Sequence, residues 1–216
     1  NGVSFDMVEI PAGTFTMGSP ATEVNHESGE VEHQVTLSAF KMSKYEITNA
    51  QYAAYREHKR GEYSLGDDQP VTNLTRTQTL EFIAWLSKRD GVEYKLPTEA
   101  QWEYAARGGL YGHRDNLYSG GMELDSVGWY AGNSEGKTHS VGTKTPNELG
   151  IHDMSGNVWE WCADRFQKEG KNYAVVKGGT WFNERAMSRP TCHYYIYPHS
   201  KHFNNGFRLA KDITNP

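Results

Sequence analysis

The sequence predicts an α+β fold with few short strands, about three helices and much irregular structure. Glycine is frequent, at 22 residues, and the apolar runs are short, so turns are many and long helices few. Aromatic residues reach 12% although hydrophobic residues total only 37%, a mix that builds a core and excludes a disordered chain. Period-two alternation recurs near both ends, and two Thr-x-x-Gln capping boxes open helices between them. No composition break marks a linker, so residues 1–216 read as a single domain.

In chain order, Met7 to Gly18 alternates around Pro11-Ala12-Gly13 and predicts two short strands joined as a hairpin. Gln34 to Ser43 alternates with period two and predicts one more strand. Thr48 with Gln51 forms a capping box and opens a helix through about Arg56. A second helix is expected from about Thr77 to Lys88, with Leu80, Ile83, Ala84 and Leu86 near one face and Gly91 past its end. The third is the clearest. Thr98 is its N-cap, Gln101 closes the box, Glu99 faces the positive dipole end and Gly108 ends it. From Gly109 to about Ile151 no period is sustained, and a stretch so long is functional or metal-organised rather than a plain connection. Short strands return at 158–162, 174–177 and 206–210.

Composition also excludes whole classes of function. Net charge is −5 with no long basic run, which argues against a nucleic-acid partner. Mean hydropathy is −0.75, and no apolar stretch approaches the roughly 18 residues of a membrane span. No signal peptide or lipidation motif is legible. The two cysteines, Cys162 and Cys192, allow one disulfide at most and leave open whether it forms.

Six phrases follow one another in order. They are Ile10-Pro11-Ala12-Gly13 with Met17-Gly18, Tyr45-Glu46-Ile47-Thr48-Asn49, and Leu96-Pro97-Thr98-Glu99-Ala100-Gln101-Trp102-Glu103. Then come Gly156-Asn157-Val158-Trp159-Glu160-Trp161, Lys177-Gly178-Gly179-Thr180-Trp181 and Gly206-Phe207-Arg208-Leu209. In that order they resemble the formylglycine-generating-enzyme family over nearly the whole chain. The resemblance implies a C-type-lectin fold rich in irregular structure, which suits the patternless stretch.

Fold alone does not decide function. Enzymes of that family carry a closely spaced pair of cysteines, after the Gly-Gly-Ser/Thr-aromatic motif, that binds copper and oxidises a substrate cysteine. The matching positions here are Asn183 and Ser188, and neither supplies the thiolate that Cu(I) prefers. The resemblance therefore implies no catalytic residue and a protein that is not an enzyme. It further implies a structural calcium, with no other cofactor required, on Asp153, Gly156, Val158 and Glu160. Two carboxylates and two backbone carbonyls are hard oxygen ligands of the kind calcium takes. Read from the residues alone, Glu160 serves equally well to satisfy buried groups beside Trp159 and Trp161. A second family site starts at Asn133 and Ser134, where the onward connection to Pro146 is short.

The segment Thr191, Cys192, His193, Tyr194, Tyr195, Ile196, Tyr197, Pro198, His199, Ser200, Lys201, His202, Phe203, Asn204, Asn205 shows no strand or helix period. Every residue in it except Lys201 is reached by altering only the adenines of an AAC codon, and Phe182 and Asn183 obey the same rule. That pattern resembles the variable region of proteins diversified by retroelements, such as the treponemal variable surface lipoproteins, which share this fold and end in a Gly-Phe-Arg motif. Tyr, His and Phe give rigid contact area while Ser and Asn adapt their hydrogen bonds, the composition of a paratope. Phe182, Asn183, Thr191 to Tyr197 and His199, Ser200, His202, Phe203, Asn204 and Asn205 are therefore the ligand-contact candidates, within a variable segment of about 180–205. Trp159, Trp161, Trp181 and Phe207 are expected as buried framework, with one or two of Tyr194, Tyr195, Ile196 and Tyr197 also filling the core. His193, His199 and His202 are alternatively zinc or copper ligands, although no carboxylate lies among them.

The expected function is that of a non-catalytic, monomeric binding protein that recognises a protein or other macromolecular ligand. The resemblance places it on the extracellular face of a cell surface as an outer-membrane lipoprotein, touching membrane only through an anchor outside this chain. The alternative is an enzyme of the formylglycine-generating or sulfoxide-synthase type with a different metal site. A calcium-dependent sugar binder ranks last, because neither a Glu-Pro-Asn nor a Gln-Pro-Asp triplet occurs.

Overall fold

The computed structural model describes residues 3–113 and 115–213; both ends of the predicted 1–216 domain lie outside them. Its strands are β1 (Met7–Ile10), β2 (Gly13–Met17), β3 (His33–Leu37), β4 (Phe40–Ser43), β5 (Trp159–Lys168), β6 (Lys171–Lys177), β7 (His193–Ile196), β8 (Asn205–Gly206) and β9 (Ala210–Asp212). The helices are α1 (Asn49–Ala53), α2 (Arg76–Asp90), α3 (Glu99–Ala106) and the single turn α4 (Leu124–Val127). They support a mixed α/β fold of short elements, with the long stretch after α3 largely irregular.

All three main helices start on a reciprocal Thr/Gln capping box, at Thr48, Thr75 and Thr98. Each satisfies two backbone donors that the helix itself leaves open. Gly91 ends α2 at φ 65, where a side chain is strained. The inward face of α2 differs from the expected one: Thr79, Phe82, Ile83 and Leu86 are buried, whereas Leu80 and Ala84 are exposed. Phe82 displaces Leu80 because its ring stacks on Tyr52 and meets Phe207 edge-on.

Residues 7–17 do not form the predicted hairpin. β1 pairs antiparallel with β4, and β2 pairs with β3 in a separate two-stranded ribbon. The expected single strand over 34–43 breaks at Ser38-Ala39 for the same reason. Alternation reports which faces are apolar and not which strand is the partner. In β4 Phe40 and Met42 enter the core, while β3 stays partly exposed on the ribbon. The expected strand at 206–210 also divides. β8 joins β5 in parallel, β9 closes on β4, and Phe207, Arg208 and Leu209 between them are buried.

β5, β6 and β7 form the main sheet in the order β7-β6-β5-β8. One core packs α1 and α2 against this sheet through Tyr52, Phe82, Leu86, Trp161 and Phe207. A second packs α3 against β1 and β4 through Trp102, Tyr104, Ile10, Phe40 and Met42. Between α3 and β5 the irregular stretch is tied down by buried amides. Asn147 donates to the Ala105 carbonyl at 2.8 Å and to Ser119 Oγ at 3.1 Å. Asn157 donates to Glu46 at 2.6 Å and accepts from the His139 amide at 3.0 Å. Side-chain amides thus do here what a sheet ladder does elsewhere.

Candidate ligand-binding surface

Two segments build the candidate surface. The first follows Gly178 and Gly179, at φ 101 and 75, where a Cβ on Gly179 would stand 2.6 Å from the Met187 carbonyl. In the turn that follows, Thr180 Oγ1 donates to Asn183 Oδ1 and accepts from the Phe182 amide. This turn tucks Trp181 inward and lifts Phe182 to 61% exposure. Phe182 and Phe203 (40% exposed) meet at ring centroids 6.0 Å apart, and both lie against Trp181, at 5.5 and 5.8 Å. Tyr63 completes the cluster, 4.9 Å from Trp181 and 5.4 Å from Phe203. Sequence reasoning missed Tyr63, which sits in a loop with no period or motif to mark it.

The second segment contains a strand where none was expected. β7 pairs with β6 in the register Lys177↔His193 to Ala174↔Ile196. Four predicted contact residues are corrected by burial: Thr191, Cys192, Ile196 and Asn205 all face inward. Ile196 and Cys192 fill the core, and Asn205 is a β8 residue paired with Trp159. Tyr194, Tyr197, His199 and Phe203 are exposed, while Asn183, His193, Tyr195, Ser200, His202 and Asn204 are half-buried. Trp159, Trp161, Trp181 and Phe207 are buried, as expected of framework. Among the described residues no three His, Cys, Asp or Glu side chains form a group able to hold a metal, so His193, His199 and His202 do not converge.

Main-chain bonds hold this segment. The amides of Asn73, Arg76 and Trp159 donate to the carbonyls of His202, Pro198 and Asn204 at 3.0, 2.9 and 2.9 Å. Ala131 donates likewise to Asn183, and Ser134 Oγ donates to the Trp181 carbonyl at 2.7 Å. Such contacts do not depend on the side chains the segment carries.

Beneath β7 lies a fully buried Lys177, 3.1 Å from Glu103 and 3.7 Å from Glu99. Burial would depress its ammonium, but the two carboxylates outweigh that and raise it. Arg189, also buried, pairs with Glu30 at 2.8 Å and Glu23 at 2.7 Å.

A family model described as the sulfatase-modifying factor enzyme 1-like domain matches residues 3–213. The chain belongs to this family. The structure is similar to that of Treponema denticola variable protein 1, with a TM-score of 0.87 and 26% identity, covering 98% of this chain and 96% of that one. In sequence it is 28% identical to the formylglycine-generating enzyme of Thermomonospora curvata, over 95% of this chain and 93% of the relative. It is 26% identical to the inactive Cα-formylglycine-generating enzyme 2 of Bos taurus, over 100% and 91%. The family therefore includes enzymes and a member described as inactive, on one C-type-lectin-like fold.

Two expectations attached to the family depend on this geometry. Asn183, at one copper-ligand position, is engaged in the Thr180 turn, and Ser188, at the other, is buried. Cys162 and Cys192 are free buried thiols in separate cores. In this arrangement the two carboxylates expected to hold calcium are largely committed to other partners. Both oxygens of Glu160 are taken, by Arg208 at 2.6 and 2.7 Å and by Trp102 Nε1 at 2.6 Å. Asp153 accepts from the Gly142 amide through Oδ2, and of the two carboxylates only its Oδ1 has no partner.

Proposed function

We propose that this member of the family is a non-catalytic binding protein, one domain and monomeric, whose surface around 180–205 recognises a macromolecular ligand, most simply a protein. The observation that carries this reading is the aromatic cluster of Phe182, Phe203 and Tyr63, held at the surface on a backbone fixed by main-chain bonds. Exposed aromatic anchors above a rigid base are what protein interfaces use. A backbone held through amides and carbonyls tolerates exchange of the side chains it displays, which is what retroelement diversification of Phe182, Asn183 and 193–204 requires. The likeness to a variable protein supports the same reading. Display on the extracellular face of a cell surface, through a lipid anchor outside this chain, belongs to this proposal. The enzyme alternative lacks a reactive thiol: burial pushes Cys192 up to about 12 and Cys162 well above its ordinary value.

The test is deep sequencing of the last fifty or so codons across a population carrying the gene. Substitutions at adenine-derived positions, confined to 182, 183 and the outward residues of 193–204, are expected, with Gly178, Trp181, Cys192, Ile196 and Arg208 constant. An invariant segment would overturn the diversified reading.

A further inference from the structure

A cleft of about 350 Å³ lies between the β2–β3 ribbon and the start of α3, with Gly29, His33, Glu99, Asp164, His193 and Tyr195 in its wall. It is separate from the aromatic cluster and from the family's copper-ligand positions. Its volume is at the small end of ligand sites, roughly 300–1,000 Å³, suited to one side chain or a small amine.

Its wall is rich in hydrogen-bond acceptors. His193 Nδ1 stands 3.2 Å from Glu99 Oε1, and an ionised carboxylate only accepts, so Nδ1 carries the hydrogen. When the ring carries that one hydrogen, Nε2 accepts from the Tyr195 hydroxyl at 3.0 Å, and the phenolic oxygen is left as an acceptor. His33 Nδ1 lies 2.9 Å from the Val31 carbonyl; it must donate there, so in the neutral ring Nε2 presents a lone pair. Asp164 accepts from the Glu99 amide through Oδ2 at 2.6 Å. That bond neutralises the positive end of α3, which would otherwise favour an anion. Burial alone would raise the Glu99 carboxyl, but His193 and Lys177 hold it below its ordinary value, and it stays charged. Glu30 and Glu103, also in the wall, are engaged by Arg189 and by Lys177 with Arg107.

We propose that this cleft binds an alkylammonium or guanidinium group, a cation that offers N–H donors and no acceptor, to Glu99, Asp164, Tyr195 and His33. The opposing backbone is close: a Cβ on Gly29 would stand 3.3 Å from His193 Nε2, so a side chain there would crowd the ring. The group comes either from a free amine or from a lysine or arginine of the macromolecular ligand. Only that second source rests on the binding-protein reading.

The test titrates the full chain with agmatine and, separately, with a capped Gly-Arg-Gly peptide, observed by NMR at the Gly29 amide and the His193 ring. Phosphate and a neutral alcohol of agmatine's length serve as controls. Agmatine is expected to shift the cleft signals while the controls leave them unmoved. Glu99→Gln should weaken binding by about tenfold, the loss expected for a hydrogen bond to a charged group. Because Glu99 also faces Lys177, Asp164→Asn and Tyr195→Phe serve as gentler variants. The first keeps an acceptor for the α3 amide, and the second keeps the ring on Phe166, 4.2 Å away. Binding of agmatine together with the peptide assigns the cation to a partner's side chain; binding of agmatine alone assigns it to a small amine. Either result stands even if population sequencing shows no diversification. No shift with agmatine, or binding undiminished in both gentler variants, would overturn the proposal.

Discussion

Arg208 holds Glu160 by two hydrogen bonds, Nε to Oε2 at 2.6 Å and Nη2 to Oε1 at 2.7 Å, with neither side chain exposed. Trp102 Nε1 donates to the same carboxylate, and Arg208 donates onward to the carbonyls of Ser43 and His152. The pair therefore joins α3, β4, β5 and the last core segment at one point. Burial of Glu46 and its nearness to Asp153 and Glu160 raise the Glu46 carboxyl well above its ordinary value, and Arg208 opposes this. Arg208→Met leaves Glu160 buried without its partner, which costs about 3–5 kcal/mol in comparable sites. Urea denaturation of the variant should show that loss; a change below about 1 kcal/mol would mean that Glu160 finds another partner.

The same pair predicts indifference to calcium. An ion bound at a hundred times its Kd would stabilise the fold by about 2.7 kcal/mol, a rise of at least about 5 °C for a chain of this size. Thermal unfolding in millimolar calcium and in EGTA should instead coincide. A rise on adding calcium would return Asp153, Gly156, Val158 and Glu160 to the role their sequence positions imply.

Neither thiol should behave as a catalytic one. Both cysteines are buried, and the desolvation of a thiolate outweighs the pull of Lys177 on each and of Arg189 on Cys192. Ellman's reagent at pH 8 should leave both unmodified in the native protein and titrate both in guanidinium. Rapid reaction of either native thiol would reopen the enzyme alternative.

Glu99 sets a pH dependence of definite sign. Burial raises its carboxyl, but His193 and Lys177 lower it further, so the folded value lies below the ordinary 4.5. Above 4.5 both folded and unfolded chains are ionised there and the stabilisation is complete. As pH falls the unfolded chain takes up its proton first, and the contribution is lost through the folded value. Glu30 lies on the same side, because Arg189 and Ser19 outweigh its burial. Denaturation midpoints should fall as pH drops below 4.5, and less steeply in Glu99→Gln. A parallel fall in both proteins would remove Glu99 from the acid response.

The sequence showed most where local chemistry is self-sufficient. Thr48 and Thr98 with their glutamines mark helix starts because the cap and its partner sit three residues apart. The ordered motifs around Trp102, Glu160 and Arg208 convey the fold because these residues meet in its core. Strand pairing was hidden: nothing in residues 7–17 says that β1 faces Phe40 and Met42 rather than β2. Within 191–205 the codon pattern marks a segment but not its inward side, so it does not distinguish buried Cys192 and Ile196 from exposed Tyr194 and Tyr197. Tyr63 is distant in sequence from Phe182 and Phe203, and only folding brings it to them.

Phe182 separates stability from contact. Its ring is 61% exposed and rests edge-on against Trp181, whereas Trp181 is 3% exposed. A ring so open gains little from burial, and Phe182→Asn should change stability by no more than about 0.5 kcal/mol. Trp181→Ala empties a core position and should cost about 3–5 kcal/mol. Guanidinium midpoints for the two variants decide the matter. If Phe182→Asn proves as damaging as Trp181→Ala, the ring is framework, and the aromatic cluster is a lid on the core rather than a surface for a partner. If it is neutral, stability does not account for a large apolar ring in open solvent. Contact with another molecule then remains its physical role, and Phe203, packed beside it, and Tyr63, packed on Phe203, at 37–40% exposure, share that contact.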